Sequence, residues 1–241
     1  MGNKKEPNTK FLPKGLTIIY EDRDLLIVSK PAGLLTVSTD SEKIKTAYAS
    51  LSDYVKKGSI RSKNRIFVVH RLDRETSGVL VFAKTLEAKN NLQDNWDNTK
   101  KKYCAVTHGI WKNKSGIITS FLTENKSQIV YSTKDANLGK LSHTGYKIIQ
   151  ETEKFSLIEV DLLTGRKNQI RVHCSDEGHP IVGDLKYGKD NKSYLRLALH
   201  SFSISFHHPF TGKEMYFESA IPPFLSDLVG GTQDLKSKKF F

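Results

Sequence analysis

At 241 residues the chain suits one large domain and can bury a substantial core without disulfide or metal staples. Its 12 Phe and 9 Tyr are too many for a disordered chain, and no run approaches the ~18 apolar residues of a membrane helix. Lys and Arg number 38 against 26 acids, a net charge of +12, which favours a polyanionic partner, either nucleic acid or an anionic membrane surface. No apolar signal core follows the Lys-rich N-terminus, so the protein is expected to be soluble and cytoplasmic. Cys104 and Cys174 describe neither a disulfide framework nor a zinc site and are expected as reduced core residues.

In chain order, residues 1–14 are polar and basic and read as a flexible tail. Thr17–Tyr20 and Leu25–Val28 read as strands around the Asp22-Arg23-Asp24 turn, and Thr46–Lys57 carries Tyr48, Leu51 and Val55 at helical spacing. Ile66–Val69 and Val79–Phe82 are apolar runs expected as buried strands, with Leu86–Trp96 an amphipathic helix after them. Tyr103–Ile110, Ile117–Leu122, Gln128–Ser132, Tyr146–Ile149 and Ser156–Leu162 follow as strands, and Asn168–Cys174 as a short helix. Leu195–Phe206 with Met215–Glu218 reads as a hairpin, and Pro223–Leu228 as a closing helical turn. Strands dominate without a regular βαβ repeat, so the expected fold class is α+β: a mixed, mostly antiparallel sheet with a few helices. One folded domain is expected over 15–230, followed by a basic tail at 231–241.

Gly183–Lys189 imitates a phosphate loop, but Asp190 stands where Ser or Thr must supply a hydroxyl to magnesium, so a tight charged surface loop is expected instead. The adjacent pairs His173-Cys174 and His207-His208 do not converge on one ion, because neighbours in a strand point to opposite faces; no metal is expected. The segment His70-Arg71-Leu72-Asp73-Arg74-Glu75-Thr76-Ser77-Gly78 is different. It places one carboxylate, Asp73, between two guanidinium groups directly after an apolar strand. A carboxylate in such company is a poor base but a serviceable nucleophile or electrostatic stabiliser at an electron-poor carbon, and anomeric carbons are the usual targets. A loop salt bridge is the plainer alternative for a lone Arg-Leu-Asp-Arg.

Two further groups weigh against that plain alternative. Thr164–His173 packs three cations and two amide side chains around a glycine turn, with Lys167 and Arg171 expected on one helix face. Lys101-Lys102-Tyr103 opens a strand with two lysines beside an aromatic ring, a combination that holds single-stranded or extruded bases.

Together these blocks resemble the RluA-type family of pseudouridine synthases, over about Ile18 to Phe224. The most specific is Arg71-Leu72-Asp73-x-x-Thr76-Ser77-Gly78; Lys30-Pro31-Ala32-Gly33, the Tyr103 and Thr164–His173 blocks, Gly178–Asp184 and Leu197–His200 come in family order. The resemblance implies the pseudouridine synthase fold with an active-site cleft, and isomerisation of uridine in tRNA or large-subunit rRNA without a cofactor. It makes Asp73 the essential carboxylate, places Tyr103 against the uracil, pairs Arg171 with Asp73, and has Arg71 fill the gap left by the flipped nucleotide. The partner implied is an RNA stem-loop, bound by a monomer with no membrane contact. Asn168 departs from the family, which usually has His there, and the chain leaves no room before the fold for the S4 module of many relatives. A non-catalytic RNA-binding or chaperone protein and a small-nucleoside hydrolase are the competing readings; the first forms no pseudouridine, and the second releases free base.

Overall fold

Leu25–Val28 and Val79–Phe82, the apolar runs of the first third, lose all exposure to solvent. They lie in strands β2 (Leu25–Lys30) and β4 (Ser77–Ala83), which pair antiparallel from Leu25↔Ala83 to Lys30↔Gly78. Strands covered on both faces read as continuous apolar runs, which is why these were legible. This computed structural model describes residues 9–40, 42–188, 194 and 196–231. The chain forms two compact units, one of Met1–Trp96 with Phe206–Ser219 and the other of Asp97–Ser205 with Ala220–Phe241.

In the first unit β1 (Thr17–Glu21) pairs antiparallel with the outer edge of β2, and the short β3 (Phe67–Val68) pairs with the Phe82–Ala83 end of β4. Helix α1 (Ala47–Lys56) starts where the Thr46 hydroxyl accepts from the Ala49 amide, and it buries Ala47, Leu51 and Val55 at the predicted spacing. Helix α2 (Leu86–Asp94) is capped in the same way by Thr85 and buries Ala88 and Leu92. Thr9–Phe11, expected as part of a flexible tail, forms a 3-10 turn; residues 1–8 and 232–241 lie outside the described residues.

The strands of the second unit pair antiparallel in the spatial order β10 (Leu199–His207), β5 (Lys100–His108), β9 (Phe155–Leu162), β8 (Lys140–Glu151), β6 (Ser115–Glu124), β7 (Val130–Thr133), with non-consecutive neighbours at β10–β5, β5–β9 and β8–β6. Helix α3 (Gln169–Asp176) follows β9. Strand β8 starts six residues before the predicted Tyr146, because Lys140–Gly145 pairs along β6 while carrying few apolar side chains. β10 starts at Leu199, later than expected; Leu195 lies outside the described residues. Its last two residues belong to the first unit, where the turn His208–Lys213 leads into β11 (Glu214–Glu218); in the second unit Pro223–Asp227 forms the short α4. The strands thus give the mostly antiparallel sheet with few helices that the pattern predicts. Among the described residues no helix is long and apolar enough to cross a membrane.

The Gly183 loop departs from expectation. Gly183 and Asp184 are buried, and among the described residues of the loop Leu185 and Lys186 are exposed and Tyr187 and Gly188 half-buried. Gly183 has φ +76°, and a Cβ there would fall 2.0 Å from the Arg196 carbonyl oxygen, so only glycine fits. Lys189 and Asp190 lie outside the described residues. Cys104 and Cys174 are buried free thiols, both pushed up by burial, which leaves them unreactive.

Candidate active site

In the first unit the Asp73 segment leaves β3 and is held by hydrogen bonds to the backbone of Leu72, Asp73, Arg74 and Thr76. His70 Nε2 accepts the Val81 amide at 3.1 Å, a side chain standing in for the next ladder bond of β3, and its ring lies 4.7 Å from that of Trp96. Leu72 is held at both backbone atoms by one hydroxyl: Thr36 Oγ1 donates to its carbonyl at 2.8 Å and accepts its amide at 3.2 Å. The Thr76 amide donates to the Asp73 carbonyl at 3.2 Å and closes a turn.

The next anchor is Lys30, with 0% of its surface exposed. Its ammonium donates to the carbonyls of Pro31 (3.0 Å), Leu34 (2.7 Å) and Arg74 (3.1 Å). Alongside it the Gly33 amide donates to the Arg74 carbonyl at 2.9 Å, and Arg74 Nε returns a bond to the Gly33 carbonyl at 3.1 Å. One buried cation therefore ties the Lys30–Leu34 loop to the Asp73 loop. Burial pushes Lys30 down to about 7, opposed by the negative charges of Glu75 and Asp73. Asp73 is half-buried on this clamped loop, and Arg71 is exposed beside it.

The second unit carries Tyr103 and Arg171. Arg171 sits on the first turn of α3 and forms a bidentate pair with Asp184, Nε to Oδ2 at 2.7 Å and Nη2 to Oδ1 at 2.8 Å. Asp184 Oδ1 also accepts the amides of Lys186 (2.9 Å) and Tyr187 (3.0 Å), and the Tyr187 ring centroid lies 5.1 Å from the guanidinium carbon. The fork is thus aligned by a carboxylate that is 1% exposed. Asn168, the departure from the family pattern, adopts φ 53° and ψ 16°, a left-handed conformation that Asn tolerates, and its Oδ1 accepts from the Tyr187 hydroxyl at 3.1 Å. Because of that turn α3 begins at Gln169, so Lys167 is not on its face with Arg171 as expected; it pairs with Glu124.

A buried polar network holds α3 to the sheet. His173 Nδ1 meets Thr144 Oγ1 at 2.8 Å and its Nε2 meets Ser120 Oγ at 2.9 Å. Gln169 Nε2 donates to the His143 carbonyl and to Thr144 Oγ1, both at 2.9 Å. Tyr103 lies within β5, between Val160 of β9 and Ser201 of β10, and is 7% exposed. The lysines before it differ from expectation. Lys102 is neutralised by Glu159 at 2.7 Å and Asp161 at 3.5 Å, and Lys101 is buried and lowered by that burial.

Asp73 and Arg71 therefore belong to the first unit, Tyr103 and Arg171 to the second. Lys30, Thr36 and Asp184 are the residues that sequence reasoning left without a role. Lys30 and Asp184 stood inside recognised blocks, and a lysine ending an otherwise apolar strand is itself a visible anomaly.

A family model described as RNA pseudouridylate synthase matches residues 24–176. An uncharacterised RNA pseudouridine synthase of Mycoplasma genitalium is 35% identical over 214 residues, covering 86% of this chain and 67% of the relative. The ribosomal large subunit pseudouridine synthase D of Neisseria meningitidis is 35% identical over 233 residues, covering 90% and 62%. The solved structure of human RNA pseudouridylate synthase domain containing 1 superposes with a TM-score of 0.71 at 25% identity, over 92% of this chain and 93% of that one. Family model, relatives and fold agree: the chain belongs to the RluA-type RNA pseudouridylate synthase family and is an isomerase.

Proposed function

We propose that the protein converts particular uridines of a structured RNA, a tRNA or a stem-loop of large-subunit rRNA, to pseudouridine, with Asp73 as the essential carboxylate. The observation that carries this reading is the clamp on the Asp73 loop. A carboxylate whose chain neighbours Leu72 and Arg74 are held by Thr36, Lys30 and Gly33 is preorganised, so little reorganisation is needed when charge develops at the reacting carbon. A relative named for the ribosomal large subunit supports the choice of RNA.

The reaction breaks the bond between ribose C1′ and N1 and leaves that electron pair on the uracil. The freed base rotates, C5 bonds to C1′, the C5 proton departs, and N1 gains a proton. Atoms and oxidation state balance within one nucleotide, so the chemistry requires no cofactor. Asp73 serves either by adding to C1′ or by removing a ribose proton to give a glycal. Reaching C1′ requires extrusion of the nucleotide, at a cost of a few kcal/mol. Arg71, exposed beside Asp73, fills the vacated stack. The Arg171 guanidinium, aligned by Asp184, pairs with Asp73, and Tyr103 lies against the uracil.

Replacing Asp73 with Asn keeps the shape and removes the charge. Pseudouridine formation is expected to fall below detection while RNA binding stays within about tenfold, ~1.4 kcal/mol. Measurable turnover by the Asn variant in a product assay overturns the assignment.

A further inference from the structure

The first unit carries a groove of about 1060 Å³ lined by residues of β1, α1, β3 and the segments that flank them. Arg23, Lys57, Lys63 and Arg65 line it, all exposed, and among the described residues none of the four makes a side-chain hydrogen bond or ion pair. Among the described lining residues the one carboxylate, Glu21, is already engaged by the Tyr54 hydroxyl and by Lys84, each at 2.7 Å. Phe11 and Phe67, both half-buried, supply rings to the same walls. Four like charges gathered in one concavity repel each other, and a bound polyanion relieves that repulsion. Rings interleaved with cations are what holds a nucleic-acid strand by phosphate and base together.

The walls are fixed in place. Asn64 Nδ2 donates to the Val55 carbonyl at 2.9 Å, which pins the Lys63–Arg65 segment to the end of α1. Lys57 ends α1 at φ 53° and ψ 35°, a left-handed position that glycine favours, so a cation stands where the backbone alone prefers Gly. Gly58 follows at φ +70°, and a Cβ there would fall 2.9 Å from Phe11 Cζ.

The groove is separate from the Asp73 loop. Glu21, Arg23 and Lys84 flank the Leu25↔Ala83 end of the β2–β4 ladder, and the loop is tied to Lys30 at its Lys30↔Gly78 end. Five strand residues at ~3.4 Å each put about 17 Å between the two ends.

We infer that this groove is a second RNA-docking surface, which grips the phosphate backbone of the substrate at a distance from the uridine being isomerised. The inference rests on the RNA isomerase reading and adds a binding site to it. A stem-loop whose stem reaches well beyond the target uridine is the probe, compared with a short oligonucleotide confined to the nucleotides beside it. In the double variant Lys63→Glu, Arg65→Glu the stem-loop is expected to bind about tenfold more weakly, with a log–log salt slope shallower by about 1.4–1.8, two phosphates at ~0.7–0.9 each. The short oligonucleotide binds both proteins equally, and the loss in turnover falls on KM. Lys57→Gly separates binding from folding: the melting temperature stays level or rises, while stem-loop affinity drops about two- to threefold.

Unchanged stem-loop affinity and slope in the double variant overturn the inference, as does an equal loss with the short oligonucleotide. So does a variant that keeps its RNA affinity and loses retention on phosphatidylglycerol vesicles, which makes the groove a membrane contact. The two readings fail separately. If the wild-type protein forms no pseudouridine while the groove variants lose RNA affinity, the reaction is wrong and the groove stands.

Discussion

Arg171 reaches its position through a carboxylate that the sequence leaves unassigned. Asp184 holds Nε and Nη2, and is itself held by the amides of Lys186 and Tyr187, so the guanidinium plane is set by a turn thirteen residues away. An ammonium on a flexible stem cannot reproduce that fork. Arg171→Lys is therefore expected to fold, because a cation still faces Asp184, and to lose most of its turnover; a wild-type rate in a single-turnover assay reduces Arg171 to a structural charge. Asp184→Asn should cost more stability, roughly 3 kcal/mol, since it breaks a buried pair and turns an amide N–H towards the guanidinium. Chemical denaturation measures the difference, and an Asn variant as stable as the parent contradicts the pairing as the anchor of Arg171.

At the scale of elements, α3 depends on His173, which is fully buried between Thr144 of β8 and Ser120 of β6. Burial penalises the imidazolium and pushes His173 from its ordinary 6.5 down to about 4. Between those values the unfolded chain binds the proton and the folded one does not. Stability from this group is complete above pH 6.5 and is lost as the pH falls to about 4, by roughly 3 kcal/mol. Denaturation midpoints collected across that window should fall with acid in the parent and fall less in His173→Gln; parallel profiles rule the residue out as the cause. The elements themselves were legible where one periodicity dominates, as in the apolar runs of β2 and β4 or the Ala47, Leu51, Val55 face of α1. The start of α3 was not, because Asn168 turns left-handed and makes no side-chain cap. Lys30 was not, because its partners are main-chain carbonyls, and hydropathy counts a lysine as exposed whatever surrounds it. The turn that presents Asp73, by contrast, is closed locally by the Thr76 amide, so its residues stood together in the sequence.

At the scale of the whole molecule, a net charge of +12 sets how RNA affinity responds to salt. Cations that neutralise phosphates release condensed counterions, so a site covering roughly 4–6 phosphates gives a log–log slope of about −3 to −5. If the Arg23–Arg65 groove engages the backbone, part of that slope belongs to it and disappears with its charges, and the remainder belongs to basic groups elsewhere on the chain. Tyr103 is expected to make a separable contribution, because stacking on an extruded base is worth ~1–3 kcal/mol and involves no phosphate. Tyr103 is 7% exposed in the middle of β5, so Tyr103→Ala also opens a cavity, and its fold has to be verified by melting before binding is read. Tyr103→Phe keeps the ring and the packing and is expected to retain much of the affinity and turnover. For a folded Ala variant the expectation is weaker binding or slower turnover at every salt concentration, with the slope of the parent. A slope that moves with Tyr103 contradicts the separation of stacking from charge; an affinity independent of salt contradicts the electrostatic account altogether and leaves the surplus of lysines without a role in RNA binding.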